Sequence, residues 1–308
     1  MFHRIDQSPD PLSLSISFSR LKEIALLLKQ QGWLLSIDKA IKNLCNNRTK
    51  RQINYVLTFD DGYSDNMKLL FLAKEDIPSV IYITTNRLGH IVLWPYRLIN
   101  AIFHATENFL DLTSVGLNHY QLIDNQQKQD TVIQINHWLK QFEPKRIEEL
   151  IDMIEEITKP NSPIHEDRML TLEEINLLNE AGVAIGAHTR NHVILTKVDI
   201  EKQREEIEGC YRDLKKILKK NSAFHFAYPN GTSDDFNDEI VSMVKQAGFQ
   251  SAVTTIYGIN KPGDDLFTLK RIAVDDNSFL TPWSTFSKCR FLSETSGIMQ
   301  LLLVWIKG

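Results

Sequence analysis

Two short clusters bring together residue types that do chemistry in combination: Thr58-Phe59-Asp60-Asp61-Gly62 and, further along the chain, His188-Thr189-Arg190-Asn191-His192. Two imidazoles and one carboxylate make a three-ligand set that leaves a divalent, zinc-like ion with an open position for water. That is a hydrolytic rather than a structural arrangement. The neighbouring carboxylate is then available as a base. Each cluster alone has a plainer reading: Asp-Asp-Gly is an ordinary turn, and a His pair at i and i+4 is often two core or exposed imidazoles. Their joint presence points to a metal site.

These side chains need rigid elements to deliver them. Residues 53–57, Ile-Asn-Tyr-Val-Leu, are an apolar, β-branched run that reads as a buried strand ending at the two acids. The carboxyl ends of strands are where α/β folds place their chemistry. Residues 183–187 supply the strand that delivers His188, and the capping box Thr171-Leu172-Glu173-Glu174 opens the helix before it. Further strands are expected over 79–85, 223–228 and 249–254, and helices over 18–29, 65–75, 199–220 and 235–247. The Glu and Lys residues of the 199–220 helix read as a solvated face. Strand–helix alternation of this kind predicts an α/β fold with a parallel sheet. Residues 95–168 read as a mostly helical insertion beside it, with helical segments near 131–142 and 143–157.

A chain of 308 residues, 43% hydrophobic, is expected to form one domain over 1–308, with 278–308 as a C-terminal extension. A net charge of -4 with both signs interspersed leaves no electrostatic footprint for nucleic acid, and no G-x-G-x-x-G or P-loop suggests a nucleotide. Cys45, Cys210 and Cys289 form no C-x-x-C pair, which fits free thiols in a reducing compartment. The N-terminus lacks an apolar signal region, so the chain reads as cytoplasmic, or as one whose start lies upstream. The apolar end, residues 297–307, is too short to span a bilayer. It is expected either to cap the fold or to lie on the inner membrane, where a lipid-linked saccharide would be at hand.

The two clusters match, without substitution and in the usual order, the T-F-D-D-G and H-[S/T]-x-x-H motifs of the polysaccharide deacetylase, or NodB-homology, family of carbohydrate esterases. The chain resembles that family from about His3 to Val274. Phe226-Ala227-Tyr228-Pro229-Asn230-Gly231 is similar to the F-x-Y-P-x-G form that replaces R-x-P-Y in the branch acting on exopolysaccharides. Met169-Leu170-Thr171 and Leu269-Lys270-Arg271-Ile272 fall in family segments as well. The resemblance implies a distorted (β/α)7-type barrel carrying the helical insertion. It implies that Asp61, His188 and His192 bind one divalent ion, zinc with cobalt and nickel as alternatives, and that Asp60 is the general base. It further implies that the Asn230 N–H holds the oxyanion, with Tyr228 and Pro229 beside the substrate. Thr189 has at most an orienting role.

The chain departs from the commonest family pattern at the general acid, because its last histidine is His225 and no late L-x-L-x-H motif follows. Phe2-His3-Arg4-Ile5 is similar to the Y-H-[R/D] segment that opens F-x-Y-P-x-G members, which makes His3 the implied acid. The alternative is a frayed, exposed terminal imidazole. Ala227 stands where the R-x-P-Y arginine would be, and Arg271 is implied as its replacement at the substrate site, steadying the base; a surface ion pair is the alternative. Trp94, in a W-x-D-like segment, would stack on a sugar ring or pack the insertion. The function expected is metal-dependent removal of N-acetyl groups from hexosamines of a surface polysaccharide, lipopolysaccharide or lipid-linked precursor. An O-acetyl esterase or non-sugar amidase would use the same site, and a catalytically silent saccharide-binding barrel is the alternative of another class.

Overall fold

The computed structural model describes residues 1–46, 53–161, 167–218 and 224–296. Two short paired strands, β1 (Arg4–Ile5) and β2 (Ser15–Ile16), precede α1 (Phe18–Gln30) and α2 (Ile37–Cys45). Ser17 and Ser36 cap these helices by accepting from the backbone N–H groups of Arg20 and Lys39. Next come β3 (Leu57–Phe59), a 3-10 turn (Ser64–Lys68), α3 (Leu69–Lys74) and β4 (Ser79–Ile83). The helix expected over 65–75 thus starts as a tighter 3-10 stretch. The strand expected over 53–57 is displaced toward the acids: Leu57, Thr58 and Phe59 pair with Ser79, Val80 and Ile81, while Ile53 is exposed. Pro78, just before β4, has no N–H with which to extend the ladder backward.

The insertion consists of α4 (Trp94–Phe103), β5 (Phe109–Asp111), β6 (His119–Gln121), α5 (Asn125–Leu139) and α6 (Pro144–Thr158). Its hairpin, β5 against β6, escapes the sequence reading because each strand is three residues long and buries one side chain. The insertion builds a core of its own around Ile99, Val132, Ile135, Leu150 and Ile154, and that core also takes in Tyr63 and Met169.

The remainder alternates as expected: α7 (Leu172–Glu180), β7 (Ala184–Ala187), α8 (Ile200–Leu218), β8 (His225–Ala227), α9 (Asp238–Ala247), β9 (Ser251–Tyr257), β10 (Leu269–Arg271) and α10 (Lys288–Thr295). Thr171 and Glu174 form the anticipated capping box of α7. Six strands make one parallel sheet in the order β10-β9-β8-β7-β4-β3, curled as in a distorted (β/α) barrel. Helices cover it, so the strands are buried on both faces and read as near-continuous apolar runs.

The edge strands β3 and β10 do not pair, and the N-terminal segment fills the seam between them. On one side Phe2 N–H donates to Thr58 O and Asp60 N–H to Phe2 O, each at 2.9 Å. On the other, the Met1 amine donates to Ile272 O at 2.8 Å and Val274 N–H to Met1 O at 3.0 Å. Phe2 stacks on Phe59. The Arg4 guanidinium then lies between the Tyr63 and Tyr96 rings, 4.3 and 4.5 Å from their centroids, and pairs with Asp167. His3 is therefore held by strand-like pairing rather than frayed.

Part of the expected C-terminal extension is integral to the barrel, since Phe279 and Phe291 are buried in its main core. Residues 297–308, for which capping or membrane contact is expected, lie outside the described residues. Among the described residues no helix is long and apolar enough to cross a membrane.

Candidate active site

Both acids leave the carboxyl end of β3 in a tight turn. Asp61 and Gly62 take φ of +76° and +89°, and a Cβ on Gly62 would stand 3.1 Å from Ile83 Cγ2. His188 extends β7, its N–H donating to Ile83 O at 2.9 Å. Thr189 and His192 also have left-handed φ, 60° and 59°. Such conformations cost about 1–3 kcal/mol each in non-glycine residues and persist only where the surroundings enforce them. Here the enforcer is Glu206 on α8, fully buried, whose carboxylate accepts from the Arg190 N–H, the Asn191 N–H and Asn191 Nδ2 at 2.7–2.9 Å. The expectation of a purely solvated acidic face on this helix is corrected at that residue.

The turn brings both imidazoles to Asp61. Nε2 of His188 and Nε2 of His192 lie 3.3 and 3.1 Å from Asp61 Oδ1, and one ligand atom from each of the three residues falls within 4.8 Å of the others. His188 Nδ1 is 2.8 Å from Ala227 O, a pure acceptor, so Nδ1 carries the hydrogen and Nε2 keeps its lone pair. Despite the close nitrogens, Asp61 Oδ1 is buried with no hydrogen-bond donor directed at it. Three acceptor atoms converging on one point is the electrostatic signature of a cation site, and the donor set fits zinc or a similar ion.

Asp60 lies beside this group. Its carboxylate, 1% exposed, forms a bidentate pair with Arg271, both N···O distances being 2.7 Å. Burial favours the neutral acid, yet Arg271 overrides it and keeps Asp60 ionised below its ordinary pKa. Arg271 is locked in turn by donating Nε to Thr254 O at 2.7 Å. It is buried behind Asp60 and holds that carboxylate, rather than forming a surface pair. His3 Nε2 sits 3.9 Å from Asp60 Oδ2. Burial lowers its pKa more than the two aspartates raise it, so the imidazole rests neutral.

His3, Asp60, Asp61, His188, His192 and Asn230 all line one cavity of about 350 Å³. Trp94 lines it too, together with Phe142, Ile147 and Lys140 of the insertion, which gives the site a partly aromatic wall. Tyr228 and Pro229 are not brought there. Tyr228 is fully buried, stacks on Phe236 and donates its hydroxyl to Phe267 O at 3.0 Å. In a strand, neighbours point to opposite faces, and the register here sends that side chain into the core. A larger apolar cavity of about 520 Å³ lies at the seam between β3 and β10 and contains none of the six residues.

Two residues of this site carried little sequence signal. Glu206 shares the i, i+4, i+8 row of α8 with Cys210 and Leu214, both buried, and an acid on an apolar row is a sign that could have been read. Lys140, at the end of α5, has no pattern to mark it.

The polysaccharide deacetylase family profile matches residues 47–252, the stretch holding both motif clusters. The chain belongs to the polysaccharide deacetylase family. Among solved structures it is similar in fold to the Streptococcus pyogenes deacetylase PplD in complex with acetate, at 20% identity and a TM-score of 0.57, over 90% of this chain and 91% of that one. IcaB from Ammonifex degensii aligns at 16% identity and 0.55, over 90% and 91% of the two chains. The BpsB deacetylase domain from Bordetella bronchiseptica aligns at 14% and 0.52, over 87% and 89%. No curated protein matches the chain. Membership of this deacetylase family accounts for the barrel and for the position of its acids.

Proposed function

We propose that this protein is a metal-dependent N-deacetylase acting on hexosamine residues of a surface polysaccharide, lipopolysaccharide or lipid-linked precursor. The observation that carries the reading is the convergence of Asp61, His188 and His192 beside a second carboxylate that Arg271 holds ionised. Zinc is the first choice of ion, with cobalt and nickel next. When bound, such an ion lowers the pKa of a water and polarises the acyl oxygen, so a weak base suffices.

Asp60, fixed and ionised, accepts the proton of the attacking water. Asn230 offers its backbone N–H to the developing oxyanion. His3, 3.9 Å from the base and neutral at rest, is the group positioned to carry that proton to the departing amine. The resting enzyme then needs no protonated imidazole. Trp94 offers an apolar face for a sugar ring. Three free cysteines favour a reducing compartment.

Metal analysis combined with acetate release from N-acetylated chito-oligosaccharides tests the proposal. One ion per chain is expected, with acetate released by the native protein. Asp60→Asn should retain the ion and lose roughly 10²- to 10⁴-fold in turnover, whereas Asp61→Asn should lose the ion. Acetate from O-acetylated but not N-acetylated saccharides would reassign the enzyme as an esterase. Stoichiometric metal with no acetate from any acetylated saccharide would leave the binding barrel or a non-sugar amidase.

A further inference from the structure

Lys140 follows α5 as its C-cap, and its Nζ donates to Asn230 Oδ1 at 2.6 Å, across 90 residues of sequence. Asn230 Nδ2 donates onward to Asp235 Oδ2, also at 2.6 Å, and that oxygen accepts from the Thr232 N–H and Oγ1 at 2.8 and 2.5 Å. The Asn230 amide therefore lies between a cation and an anion, each meeting the end of opposite polarity. Its backbone sits at a left-handed φ of 60°, with Thr255 donating Oγ1 to Asn230 O at 2.7 Å and its N–H to Gly231 O at 2.9 Å. Burial draws the Lys140 ammonium below its ordinary pKa, against the opposing charge of Asp235. A partly desolvated ammonium facing a neutral amide contributes little to stability; what it fixes is geometry.

We propose that Lys140 is a positioning residue: through the Asn230 side chain it clamps the helical insertion onto the turn at residues 229–231 and so sets where the Asn230 N–H points. The inference rests on the reading in which that N–H receives the oxyanion. The insertion is then part of the catalytic apparatus, and a shift of α5 is transmitted to the site.

Lys140→Met keeps the length of the side chain and removes its donor. Two readouts decide the matter: hydrogen exchange over residues 228–236, and steady-state acetate release by the metal-loaded protein. Exchange in the turn is expected to speed up about tenfold while the barrel strands stay unchanged. Turnover should fall roughly 10- to 100-fold, carried by kcat with KM nearly constant, and Lys140→Arg should recover most of it. Asn230→Ala keeps the N–H but deletes the link along with the Asp235 hydrogen bond, so it should lose at least as much kcat as Lys140→Met, and K140M/N230A should lose no more than Asn230→Ala alone. Unchanged exchange in Lys140→Met overturns the clamp. Faster exchange with unchanged kcat overturns its part in the reaction and leaves the deacetylase reading standing. A native protein that releases no acetate counts against that reading, while the exchange result still decides the clamp.

Discussion

At Asp60 two opposing fields meet: removal from water favours the protonated acid, and the Arg271 guanidinium favours the anion and wins. Arg271→Met removes the winner. The carboxyl then rises, so the acid limb of kcat/KM is expected to move to higher pH, because protons reach the base earlier on acidification. Breaking one side of a buried pair also costs about 3–5 kcal/mol. Thermal melts should register this as a fall on the order of 10 °C. Unchanged pH profile and melting temperature would remove Arg271 from its assigned role. Asp60, Asp61, His188 and His192 were legible as a cluster because the two motifs occur together, each alone passing for a turn or a pair of ordinary imidazoles, and the resemblance supplied their separate parts. Arg271 was reachable only by resemblance, because a lone arginine near a strand end carries no local mark. Tyr228 and Pro229 came from the resemblance alone, and a motif does not say which of its side chains face the cavity; Tyr228 turns into the core.

At the scale of the element, α8 is the buttress of the turn that carries the two proposed ligands, His188 and His192. Glu206 satisfies three donors of the 190–191 segment, which lies between the left-handed Thr189 and His192. Glu206→Gln is expected to weaken metal affinity roughly tenfold, as loss of a group that orients ligands commonly does. Chelator competition measures this directly, and affinity equal to that of the native protein would show that the turn stands by itself. Gly209 belongs to the same contact: a Cβ there would come within 2.3 Å of Arg190 Cδ. The helix itself was plain in the sequence from its charge and periodicity. Its inward acid was masked by the many outward ones, and the 3-10 start near Asp65 was hidden because 3-10 and α segments share the same apolar spacing over so few residues.

The whole molecule depends on contacts between remote parts of the chain, and its pH response follows from one of them. His225 on β8 is buried, with Nδ1 2.8 Å from Ser251 Oγ on β9 and Nε2 3.2 Å from Asp38 Oδ1 on α2. Burial lowers its pKa from 6.5, against the pull of Asp38. Below that value the unfolded chain takes up a proton that the folded one refuses, so stability is complete above about pH 6.5 and declines as the pH falls toward the depressed folded value. The slope from one such group is at most about 1.4 kcal/mol per pH unit. Unfolding in urea between pH 7.5 and 5.5 should show a shallower decline in His225→Gln than in the native protein, and parallel curves would refute the assignment. The alternating architecture was legible because strand and helix periods differ. Closure of the barrel was not, since Met1 and Phe2 are too few to show any period. That closure bears on synthesis. Asp61, His188 and His192 all precede Arg271 in the chain, which lies 211 residues beyond Asp60. Vectorial translation therefore presents the three proposed ligands before Asp60 acquires its guanidinium, and β10 is the strand that completes the buried pair.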